Sequence, residues 1–124
     1  MSDASRGVVV AHGVLAQALV DEAERITGQR GALVAVSNSG GDRAEIERRV
    51  EAAVGDGPAV IFVDMPCGSC FIASMRMERE RKDVRVVTGT NLPMLLDFLS
   101  HQAMPPVEGA ARAASKGHDA IRHP

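Results

Sequence analysis

Two hydrophobic periods alternate along this chain, and that alternation constrains its fold more than any other feature. Four short apolar runs, residues 8–11, 32–36, 59–63 and 84–88, are rich in Val, Ile and Ala. Such β-branched runs read as strands buried on both faces. Between them, apolar residues recur at the three- and four-residue spacing of an amphipathic helix. Val14, Leu15, Ala18, Leu19, Ala23 and Ile26 predict a helix over 14–27, stopped at Gly28. Asp42 followed by Glu45 has the form of a capping box, with Ile46, Val50, Ala53 and Val54 as the buried stripe behind it. Phe71, Ile72 and Met75 open a third helix, which becomes charged from Arg76 to Asp83. Those mixed-sign charges predict a solvated helix end. Asn91 and Pro93 suit the start of a fourth, carrying Met94, Leu95, Phe98 and Leu99 until Pro105-Pro106. A last helical stretch covers 110–114, ends at Gly117, and leaves 118–123 unassigned. Strands that alternate with helices through short connections form a parallel sheet with helices on both faces. The expectation is therefore an α/β fold: a single domain over 1–124 with an open, mainly parallel β-sheet, the 59–63 run at its centre.

Composition narrows this further. The chain is 45% hydrophobic with three Phe and neither Tyr nor Trp, so its core must be aliphatic. A formal charge of −2 gives no electrostatic footprint for nucleic acid. No apolar run reaches the about 18 residues that span a bilayer. The opening Met-Ser-Asp-Ala-Ser-Arg lacks the apolar segment of a secretory leader. A cytoplasmic protein is expected, and its two cysteines are then free, catalytic or metal-bound rather than structurally paired.

In a parallel sheet all the loops that follow strands lie on one edge, where ligands of such folds bind. That edge collects His12, which stands with Gly13 at the handover from strand to helix. It also collects the 37–41 loop of turn formers, Asp64 with the Cys67-Gly68-Ser69-Cys70 loop, and 89–91. A neutral imidazole is a nucleophile when one ring nitrogen holds the proton and the other is bare. A carboxylate that accepts the N–H fixes that tautomer and stabilises the cationic product. If residues 8–11 and 59–63 are adjacent parallel strands, Asp64 is placed to do this for His12. N–H groups at the start of the helix after Cys67, with the Ser69 hydroxyl, can hold an anion. A phosphoryl group on His12 satisfies all three features. Taken singly, His12 also reads as a surface or capping histidine, and Asp64 as a capping carboxylate.

Three segments carry a resemblance over essentially the whole chain. Val-Val-Val-Ala-His-Gly13, Val-Asp64 with the glycine–serine loop and Phe71, and Gly89-Thr-Asn-Leu-Pro-Met-Leu95 stand in order and at suitable spacing. They resemble the IIA proteins of the mannose–fructose–sorbose family of the phosphoenolpyruvate-dependent sugar phosphotransferase system. The resemblance implies that His12 accepts a phosphoryl group from the histidine-containing phosphocarrier protein. It implies transfer onward to a IIB domain, which phosphorylates sugar taken up through membrane IIC and IID components. By the same resemblance Asp64 orients the histidine, and Gly68 and Ser69 lie at the phosphate. No cofactor is implied. A homodimer is, with a C-terminal strand of about 118–122, within the 117–124 tail, exchanged between subunits.

The chain departs from the family pattern at three points. Cys67 stands for a glycine, Cys70 for a proline, and Ala11 for a small hydroxylated residue. The two cysteines are either a redox-sensitive loop or small filler. Cys-Gly-Ser-Cys also suits a thiol–disulfide redox protein, although no aromatic precedes it and that reading leaves His12 and Asp64 unused. A zinc site needs about four ligands, and one C-x-x-C supplies two. His101, His118 and His123 read as surface residues. A regulatory IIA protein, or a phosphoryl-accepting subunit of a dihydroxyacetone kinase, would keep the same fold and histidine. The sugar is not legible, because a IIA protein never contacts it.

Overall fold

A computed structural model of the chain describes residues 4–124. Met1, Ser2 and Asp3, half of the opening stretch read above for a leader, lie outside the described residues. Four strands, β1 (Arg6–Ala11), β2 (Leu33–Ser37), β3 (Ala59–Val63) and β4 (Val84–Thr88), form one sheet in the order β2-β1-β3-β4. Every pairing is parallel. Thus β1 and β3 are both interior, and β2 and β4 are edges. The helices are α1 (Leu15–Thr27), α2 (Arg43–Val54), α3 (Gly68–Glu80), α4 (Leu92–Ser100) and α5 (Pro106–Asp119).

The two-residue period of each strand divides the core in two. Val9, Ala11, Val60 and Phe62 face one side, where α1, α4 and α5 bring Ala16, Val20, Leu95, Phe98 and Ala113. Val8, Val10, Ile61 and Val63 face the other, against Ile46 and Val50 of α2 and Ala73 and Met77 of α3. Aliphatic side chains fill nearly all of this volume. The exception is an edge-to-face contact of Phe62 and Phe98, ring centres 5.2 Å apart.

Two expectations are corrected outright; the start of the third helix falls at Gly68, just after Cys67 as the anion-holding reading has it and ahead of the Phe71 given by the apolar stripe. Its charged end is not simply solvated: Arg81 donates to the carbonyls of Gly55 (2.7 Å) and Gly57 (2.8 Å), tying the start of β4 to the end of α2. The last helix spans Pro106–Asp119 and does not stop at Gly117. A Cβ at Gly117 would stand 2.6 Å from Met94 Cε and 3.2 Å from Asn91 Oδ1. Close approach of α5 to α4 requires this glycine; a chain end does not. Asn91 Nδ2 donates to the Gly117 carbonyl (3.0 Å) across that contact. Residues 121–124 carry no regular structure in the single chain.

Phe98 is 1% exposed and touches both the sheet and its aromatic partner. Truncation by Phe98→Ala should cost about 3–5 kcal/mol, the range for emptying a large buried site. Urea unfolding followed by far-ultraviolet circular dichroism measures it.

Candidate functional site

The site lies at the carboxyl end of the sheet, between its two interior strands. The chain leaves β1 into α1 on one face and β3 into α3 on the other, so a crevice opens between the two strand ends. Val10 pairs with Val63 across that seam. The residues just beyond, His12 and Asp64, therefore come side by side from 52 positions apart.

Their contact is specific. One carboxylate oxygen, Asp64 Oδ2, accepts the backbone N–H of His12 at 3.0 Å and lies 2.8 Å from His12 Nδ1. A carboxylate in its ionised form only accepts, so against it the neutral ring is the tautomer with the proton on Nδ1 and Nε2 bare. The carboxylate itself is sheltered, with a side chain 11% exposed, whereas the histidine side chain is 45% exposed. Asp64 Oδ1 is buried without a hydrogen-bond partner among the described residues. The imidazole is thus fixed at one end and open to solvent at the other, within reach of a large partner.

Helix capping distinguishes the site from its surroundings. α2 and α4 also begin at this edge, and each is closed by a side chain: Asp42 accepts from the Glu45 N–H at 2.9 Å, Asn91 from the Met94 N–H at 3.1 Å. The helices that begin beside His12 are not. α1 has Val14 and α3 has Cys67 at the N-cap, neither making a side-chain cap bond. Two positive helix ends without side-chain caps therefore follow the strands that carry His12 and Asp64, the first N–H of α1 (Leu15) going to the His12 carbonyl at 3.1 Å. Gly68, with φ +88°, turns the chain into α3, and Ser69 is half-buried in its first turn.

Four residues around the site were not singled out from the sequence. The β2–α2 loop grips the turn after the histidine: Gly13 N–H donates to Asn38 Oδ1 (3.1 Å), and Ser37 Oγ donates to the Gly13 carbonyl (2.7 Å). Arg49 on α2 steadies that loop by donating to the Ser37 (2.8 Å) and Ser39 (2.9 Å) carbonyls. On the other side Thr90 donates through both its N–H (3.2 Å) and its hydroxyl (2.8 Å) to the Val63 carbonyl, the peptide immediately before Asp64. The loops were visible as clusters of turn formers, but nothing local announces a partner 24 to 27 residues away.

The other candidates separate. Cys67 is exposed, Cys70 is buried, and both are free thiols. Burial, and then the charge of Asp64, push the Cys70 thiol up. His101 is half-buried, not a plain surface residue: its Nδ1 lies 2.9 Å from the Asp97 carbonyl, beside the Arg112–Asp97 ion pair (3.1 Å). His118 and His123 are exposed. Among the described residues no group of three or more His, Cys, Asp and Glu side chains gathers closely enough to hold a metal ion. No described helix is long and apolar enough to cross a membrane.

A family model described as the PTS system fructose IIA component matches residues 7–115. The sorbose-specific EIIA component of the phosphotransferase system of Klebsiella pneumoniae is 30% identical over 98 residues, covering 77% of this chain and 73% of that protein. Among solved structures, the phosphotransferase system component EIIA of Streptococcus agalactiae aligns with a TM-score of 0.87 at 20% identity, over 95% of each chain. The mannose/sorbose-specific IIA subunit of Enterococcus faecalis aligns at 0.81 with 21% identity, over 100% of this chain and 96% of that one. At those identities the two structures show the fold alone.

Long-range proton–nitrogen NMR spectra of His12 should show the Nδ1–H tautomer in the native chain. Asp64→Ala, which removes the acceptor, should abolish that preference. An unchanged tautomer would mean that the carboxylate does not set it.

Proposed function

The chain belongs to the IIA components of the phosphotransferase system, and from that membership we propose that it is a phosphoryl carrier working through His12. The observation that carries the proposal is the double hold of Asp64 Oδ2 on the N–H and Nδ1 of one exposed histidine. In this reading Nε2 attacks the phosphorus held by the histidine-containing phosphocarrier protein. The donor's P–N bond breaks as the Nε2–P bond forms. The proton stays on Nδ1, and the positive charge that develops on the ring is offset by Asp64. The first turn of α3, which no side chain caps, would hold the incoming anion through Gly68 and Ser69. Transfer to a IIB domain reverses the step, and sugar uptake follows through the membrane IIC and IID components. The setting is cytoplasmic, and no nucleic acid takes part. High exposure of His12 suits a group that must be handed between proteins, since a buried phosphohistidine could not be reached by either partner.

We also place the C-terminal tail in a homodimer. Among the described residues the edge strand β4 pairs with β3 alone, and on its outer side the Val86 N–H is held by Glu78 Oε2 (2.7 Å), a donor that an added strand would take over. Ile121 is 75% exposed. Together with His118 it borders a shallow cleft with Thr88, Gly89 and Asn91 at the end of β4, so the tail emerges beside that edge. A tail crossing to the partner's β4 would bury Ile121 and cover the edge in one step.

Incubation with phosphoenolpyruvate, enzyme I and the phosphocarrier protein should give an acid-labile, base-stable adduct, lost in His12→Ala. Labelling that persisted in that variant would refute the role. Asp64→Asn should slow transfer by on the order of a hundredfold without unfolding the chain. A chain ending at Ala120 keeps all of α5 and should be monomeric or far weaker as a dimer by light scattering. Full dimer stability in that chain would count against exchange.

A further inference from the structure

The Cys67 and Cys70 pair spans the first turn of α3, which begins four residues beyond Asp64. Cys67 is exposed and occupies the N-cap in an extended conformation, φ −161° and ψ 169°, without capping the helix through its sulfur. Cys70 is three residues on, 0% exposed, in the core beneath. Residues three apart at a helix start share a face with Cβ atoms about 5–6 Å apart, and a disulfide needs them about 3.5–4.5 Å apart, so the turn must tighten by about 1–2 Å to close the bridge. The intervening Gly68 has the backbone freedom to let the two sulfurs meet. One thiol thus meets solvent and the other is buried three residues on, the difference in access that separates a reacting from a resolving cysteine. Neither is engaged in a disulfide in this structure.

We propose that Cys67 and Cys70 are a reversible dithiol–disulfide couple whose oxidation closes the uncapped end of α3 and so slows phosphoryl transfer at His12. The second half of this statement rests on the phosphohistidine reading. The co-reactant is a small-molecule disulfide of the glutathione class. The Cys67 thiolate attacks one of its sulfurs, forms a mixed disulfide and releases one thiol. Cys70 then gives its proton to solvent, and its sulfur attacks Cys67 Sγ and expels the second thiol. Two protein thiols are oxidised by two electrons, and one small disulfide is reduced to two thiols. A dithiol reductant reverses both steps. Burial keeps Cys70 from the reagent until Cys67 has reacted, so the order is set by exposure.

Closure of the helix end follows from position. A sulfur reaching from the N-cap toward the third helical residue lies where a capping oxygen lies when it accepts from that N–H. It covers the donors that a phosphoryl group on His12 would use, and offers only a weak acceptor in exchange. Cys70 also sits within the field of Asp64.

The test uses the full chain in glutathione buffers of increasing oxidation, with thiol alkylation and intact mass read separately from phosphorylation. The native chain should lose two hydrogens and both alkylation sites. Cys70→Ser should stop at a glutathione adduct on Cys67, and Cys67→Ser should resist both. Oxidised native protein should be phosphorylated about tenfold more slowly, the scale of losing an anion's helix-end stabilisation. A Cys67→Gly, Cys70→Pro double variant, checked for folding by thermal melting, should be indifferent to the buffer. If no intramolecular disulfide forms at any glutathione ratio, the couple does not exist. A disulfide that forms while the rate is unchanged overturns the gate. Absence of any His12 adduct in reduced protein overturns the phosphohistidine reading and the gate with it, while the mass data still decide the couple.

Discussion

The register between β1 and β3 is the constraint on which the site depends. Val10 opposite Val63 is a statement about packing, enforced by side chains that are fully buried on both faces of both strands. A slip of one residue would exchange the two core faces and place Val9 where Val10 belongs. The same slip would carry His12 away from Asp64. Burial of valines thus sets a distance between two polar groups that never enter the core. The bond from the Asp64 N–H to the Val10 carbonyl (3.3 Å) extends the ladder one step past the last strand pair, up to the functional residues themselves.

Around that seam the loops differ in what they do. The loops after β2 and β4 are fasteners: Asn38 and Ser37 hold the N–H and the carbonyl of Gly13, one in each of the two peptides that flank it, and Thr90 holds the peptide before Asp64. Each belongs to an edge strand and reaches inward. The loops after β1 and β3 carry the reactive groups and leave their helix ends uncapped. Rigid flanks and an open middle are what a nucleophile needs if it must be oriented yet accessible.

Much of the fold is legible in the chain because burial on two faces leaves a plain pattern. Valine and isoleucine runs mark the strands, and the stripe Ile46, Val50, Ala53, Val54 marks α2. The juxtaposition of His12 and Asp64 is legible one step later, because parallel neighbours must end side by side. Three things are not. Gly117 looks like a stop, yet it sits inside α5 because Met94 and Asn91 crowd it from another helix. Arg81 looks like part of a solvated charge run, yet it bonds carbonyls from another loop. Asn38 looks like any turn residue, yet its amide reaches back to Gly13. In each case the deciding atoms lie far off in sequence, and local propensity carries no trace of them.

The two uncapped helices also tie occupancy to folding. An N-cap contributes about 1 kcal/mol when present, and α1 and α3 forgo it at their first turns. On the proposed role, the phosphoryl group itself becomes the missing cap of α3, present only while the carrier is charged. The Nε2–P bond is covalent and survives unfolding, so the group stabilises the native state only through the helix-end contacts that exist there and are lost in the unfolded chain. The loaded carrier is then the more cooperative and heat-resistant form, and the empty one frays first at the turn a partner must approach. Delivery of the cargo would leave behind a measurably looser protein.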